Sequence, residues 1–147
     1  MITVRFTVRS GQGHAGGFDL GDMAVSGDLG PADSAGHVPD RGMMIYLSVV
    51  QLLDSLGHFL RGDARVLDFT GADTSFGLVV RRANDGLSVA GKGRVVARTT
   101  ARELASVVLC AVEDLGLGRT PPPEGPITSD WEAALAAFRP LASGHKA

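Results

Sequence analysis

The chain has 147 residues, 44% of them hydrophobic and 20% charged, and a formal net charge of -2. A chain of this length can bury one core without covalent staples, and this composition excludes a disordered polymer. Near-neutral charge argues against a protein that coats nucleic acid or lies on an anionic membrane.

Ile2, Val4, Phe6 and Val8 alternate with Thr3, Arg5, Thr7 and Arg9. Period two places the apolar set on one face, as in a half-solvated antiparallel strand. Turn residues follow at 10–17, and Phe18, Leu20, Met23 and Val25 indicate a second strand, with a bulge expected near Gly21 and Asp22 where the apolar phase slips. Residues 28–42 hold Gly30, Pro31, Gly36, Pro39 and Gly42 and read as one long loop. A helix is predicted over 43–60. It is apolar around much of its circumference, which marks a central helix covered on more than one side, and Gly62 ends it.

Short strands are predicted at 64–69, 75–82, 87–90 and 94–98, joined by glycine-bearing turns at 84–86 and 91–93. Thr100-Ala101-Arg102-Glu103 has the form of a capping box. It opens a second helix, on which Leu104, Val107, Val108, Ala111, Val112 and Leu115 keep steps of three and four until Gly116. Leu53, Leu56, Leu104, Val108 and Ala111 are the predicted core. Proline clusters in a linker at 119–127. Ser129-Asp130-Trp131-Glu132 forms a second capping box, opening a short helix that docks through Trp131, Leu135 and Phe138. The expected fold is α+β. A mainly antiparallel sheet of five to six strands packs on two long helices in a single domain over 1–118, with a linker at 119–127 and a C-terminal helix and tail at 128–147.

The candidate chemistry is thin. Gly11-Gln12-Gly13-His14-Ala15-Gly16 spells G-x-G-x-x-G, but no helical period follows it, so it lacks the helix N-terminus that a dinucleotide phosphate needs. His14, His37, His58 and His145 show no metal-site spacing, although His14 and His37 flank an acidic stretch. Cys110 is the one cysteine, so it forms no internal disulfide or cysteine zinc cage. Its place between Val107 and Val112 reads as a buried, inert thiol. Asp68 and Asp73 flank a strand end with no partner in sequence. No nucleophile elbow is present. A non-enzymatic protein that needs no cofactor and no metal is therefore expected.

Charge segregation is the sharpest signal. Asp19, Asp22, Asp28, Asp33 and Asp40 fall within 11–40, where there is no lysine or arginine. Their spacing misses a calcium-hand loop. They are predicted to form an acidic docking loop for a basic cognate protein. Arg5, Arg9, Arg81, Arg94 and Arg98 sit mostly at outward strand phases, and with one tyrosine and one tryptophan there is no stacking set for nucleic acid. The amino terminus lacks a signal-peptide apolar region, and the most apolar window, 43–60, contains Gln51, Asp54 and His58. A soluble cytoplasmic protein without membrane partners is the expectation. The alternative is a small-molecule or catalytic site between 11–40 and the sheet.

The stretch 43–116, with its apolar helix MMIYLSVVQLLDSLGHFL, strands VLDF and FGLVVRR, hairpin NDGLSV and capped helix TTARELASVV, resembles small bacterial immunity-type proteins. That resemblance implies a cognate protein partner and no catalysis. A second similarity is to roadblock-type regulators, from which the two amino-terminal strands and the acidic stretch depart.

Overall fold

The computed structural model describes residues 2–8, 20–33, 43–62, 64–71, 76–83, 86–91, 94–118 and 126–142. Eight strands and three helices follow in the order β1 (Thr3–Val8), β2 (Leu20–Gly27), β3 (Gly30–Asp33), β4 (Met43–Met44), α1 (Ile45–Leu60), β5 (Val66–Thr70), β6 (Gly77–Ala83), β7 (Gly86–Gly91), β8 (Arg94–Thr99), α2 (Ala101–Gly118) and α3 (Pro126–Ala142). The α+β class holds, but the expected single sheet is two antiparallel sheets. The first runs β1-β2-β3 with β4 also on β2, and the second is the meander β5-β6-β7-β8.

Of the two added strands, β3 comes from the expected loop at 28–42 and β4 from the start of the predicted helix. β3 contains Pro31, normally a signal against a strand. It is tolerated because β3 ends the first sheet and can leave one side of its backbone unpaired. Met43 and Met44, expected as the first helical residues, instead pair with Gly21 and Leu20. The predicted bulge at Gly21 and Asp22 does not form, since Thr3 to Val8 pair with Ser26 to Gly21 without a slip. The irregularity lies at Val89/Ala90 opposite β8, where Val89 pairs with Ala97 and Ala90 with Val95. Val96 is the inserted residue, and the phase change lets the consecutive Val96 and Ala97 both reach the interior.

The core joins the two sheets to α1 and α2. All five predicted core residues, Leu53, Leu56, Leu104, Val108 and Ala111, are buried. Ten of the sixteen residues of α1 are buried, which requires cover on two sides. The sheets supply one side and α3 the other. α3 is seventeen residues long, not short, and starts at Pro126, inside the expected linker. Ser129 to Glu132 therefore lie within the helix and do not open it. Proline at a first helical position costs nothing, because its missing N–H has no intrahelical partner there. Trp131, Leu135 and Phe138 dock as expected, with the Trp131 ring edge-on to Tyr46 at 5.5 Å.

The helix ends follow local chemistry. At α2 the Glu103 amide donates to Thr100 Oγ1 at 3.1 Å, but the Glu103 carboxylate accepts from the Thr99 hydroxyl at 2.7 Å. The capping box is thus half made, and its second arm ties the helix to β8. Gly62, with φ of 95°, terminates α1 and donates its amide to the Phe59 carbonyl at 3.0 Å. No helix among the described residues is long and apolar enough to cross a membrane.

Candidate interaction surface

The aspartates expected in one acidic loop are spread over the first sheet. Asp22 lies on β2 opposite Thr7, Asp28 is exposed in the turn after β2, and Asp33 ends β3 opposite Ala24. Asp22 and Asp28 stand at opposite ends of an extended strand, roughly 20 Å apart at ~3.3 Å per residue. The reason is the hydrophobic alternation of β2. It buries Met23 and Val25, as the predicted second strand requires, and so holds Asp22 in a ladder and not in a loop. Asp19, Asp40, Asp73, His14, His37, His145, Arg9 and the G-x-G-x-x-G segment lie outside the described residues.

The described residues form an open groove of about 690 Å³. Thr3, Val4, Arg5, Phe6 and Thr7 of β1, Ala24 and Ser26 of β2, and Ala111 and Asp114 of α2 line it. Its path follows from the pairing. Residues opposite each other in a ladder share a face, so Thr3 with Ser26 and Arg5 with Ala24 belong to the outer face of the sheet. Thr3 Oγ1 and Ser26 Oγ lie 2.8 Å apart in a hydrogen bond on that face. α2 packs behind the other face, because Val4 meets Leu104 and Val108 around the same small interior void. A groove touching both the outer face of β1 and α2 must pass round the edge of β1 that β2 does not occupy. Among the described residues no strand pairs with that edge.

The second sheet offers a different surface. Arg81, Ser88 and Arg98 form one ladder row on its outer face, with Val66 beyond Arg81. Arg5, Arg81, Arg94 and Arg98 are all exposed, as their phases predict. The two arginines of the row are separated by two strand spacings, about 10 Å. Val66 and Val95 are exposed on the two outer strands of that sheet, β5 and β8.

Other candidates resolve simply. Cys110 is exposed, contrary to the buried thiol expected. It sits between the inward positions held by Val108 and Ala111, so the helical turn carries it outward. Asp68 is exposed on β5. Among the described residues no group of three or more histidine, cysteine, aspartate or glutamate side chains could hold a metal ion. The interior void measures about 20 Å³ and is lined wholly by apolar side chains, including Leu52, Leu56, Leu67 and Leu78. That is room for about one water with no polar partner to hold it. Sequence reasoning names none of the groove residues Thr3, Thr7, Ser26, Ala111 and Asp114 as site residues. The Thr-x-Arg-x-Thr alternation was legible, but the helix that forms the opposite wall is distant in the chain. No family model, curated protein or solved structure matches this chain.

Proposed function

We propose that the chain is a non-enzymatic protein-interaction module, of the kind that an immunity protein or inhibitor represents, and that it receives a cognate protein at the groove between β1 and α2. The observation that carries this reading is the groove along β1 that faces Ala111 and Asp114, on an edge with which no strand pairs among the described residues. An accessible strand edge is a template for another chain, and monomeric proteins usually cover or blunt it. The acidic stretch supports the same placement, since Asp22 and Asp33 stand level with the groove residues Thr7 and Ala24. A basic partner would be drawn to this sheet before it seats.

The test is affinity capture from lysate of the native cell with the full chain as bait, beside the double variant Arg5→Glu, Asp114→Lys. Both positions are exposed, so the fold should tolerate the charge reversals. The expected result is one co-purifying protein whose recovery falls at least about tenfold with the variant, as the loss of one or more interface anchors predicts. Equal recovery by both baits would remove the groove as the docking site.

A further inference from the structure

We infer that the partner binds by strand addition: an extended segment pairs with the open edge of β1 and presents a carboxylate side chain opposite Arg5. This inference rests on the interaction reading above and specifies its mode and chemistry. Three observations carry it.

The groove follows five successive residues of one strand, on the side where no strand pairs with it among the described residues. In strand addition the main chain supplies affinity and alternate side chains supply specificity. Five residues of β1 span about 17 Å, which matches a short extended peptide. The wall across the groove is built to leave room, because its two α2 residues are the small Ala111 and the exposed Asp114.

Charge sets the register. An added strand places alternate side chains level with Thr3, Arg5 and Thr7 on the outer face. The central position then meets an exposed guanidinium flanked by two threonines. Opposite charges and threonine or β-branched neighbours are favourable in such cross-strand pairs, and like charges directly opposite are unfavourable. A second copy of this chain is disfavoured as occupant. In the symmetric antiparallel register that pairs the five groove residues 3–7 with themselves, Arg5 would face Arg5 of the other copy.

The test uses two capped seven-residue peptides, Thr-Val-Thr-Glu-Thr-Val-Thr and the same sequence with lysine in place of glutamate, titrated into the isotopically labelled full chain. The expected result has three parts. Amide shifts concentrate at 3–7, 111 and 114, and hydrogen exchange of β1 amides slows. The glutamate peptide binds about threefold to tenfold more tightly than the lysine peptide, in line with one cross-strand charge pair gained against one like-charge pair suffered. The preference reverses in Arg5→Glu. Binding with unchanged β1 exchange, shifts centred on Arg81 and Arg98, equal affinity for both peptides, or no binding by either would overturn strand addition. If a captured protein still depends on Arg5 and Asp114 while the peptides leave β1 unaltered, the interaction reading stands and only this mode falls.

Discussion

Arg82 shows how much one side chain at a strand end can organise. Its Nη2 donates to the Phe59 carbonyl near the C-terminus of α1, its Nε donates to the Ala64 carbonyl at 3.3 Å, and its guanidinium lies 4.5 Å over the Phe59 ring. A cation suits a helix C-terminus, where carbonyls lack intrahelical partners, so Arg82 joins the second sheet to the end of α1. Arg61 Nη2 and Ser106 Oγ act similarly on α3, donating to the carbonyls of Ala137 at 3.2 Å and Ala142 at 3.0 Å. The apolar interior makes the sharper prediction. Leu53 and Leu104 are 2% and 4% exposed, and truncating either to alanine removes buried methyl groups. Each variant should lose roughly 2–5 kcal/mol in urea unfolding, with Leu104→Ala enlarging the void it already lines. A loss under about 1 kcal/mol would show that the site collapses around the smaller side chain.

Between elements, the contact of the two sheets is the joint most sensitive to bulk. Leu29 donates its amide to the Val96 carbonyl at 3.0 Å, which brings the β2–β3 turn onto β8. Gly27 permits this approach. A Cβ there would press against the Ala97 methyl and lie 2.8 Å from the Val96 carbonyl oxygen. The obstacles are backbone and a buried alanine, so neither can swing away. Gly27→Ala should therefore destabilise the fold by about 1–3 kcal/mol in chemical denaturation, the range for overpacking a filled site. Thr3→Ala on the solvent-facing side of the same sheet should cost well under that, and equal losses would place the strain elsewhere. The bulge that turns Val96 and Ala97 inward belongs to the same joint.

For the whole molecule, charge and shape act at different ranges. The five aspartates of 11–40 contribute a long-range field, whereas the β1 edge acts only in contact. Replacing Asp19, Asp22 and Asp33 together with asparagine should slow association with a basic partner, more at low salt than at high. The screening length grows as salt falls, and the wild type gains attraction that the variant lacks. Association rates at two ionic strengths check this. Identical rates and salt slopes would confine recognition to the contact surface. Urea unfolding of the variant checks that the fold is retained.

Local pattern was enough for the period-two strand β1, the four-strand meander, the existence and inward phases of the first two helices and the terminating Gly62, but not for the end of α2, which runs past the expected stop at Gly116 to Gly118. Each rests on side-chain periodicity or on the conformational freedom of one residue, and both act over a few neighbours in the chain. Tertiary structure decided the rest. Pro31 sits in a strand because that strand is a sheet edge, and Met43 and Met44 pair with β2 before the helix begins. The C-terminal helix reaches back to Pro126 on the face of α1 and α2, and Cys110 turns outward. The groove belongs to this second group. Its walls come from residues about a hundred positions apart, and no short-range preference encodes that meeting, because only burial of Val4 against Leu104 and Val108 brings the edge of β1 beside Ala111 and Asp114.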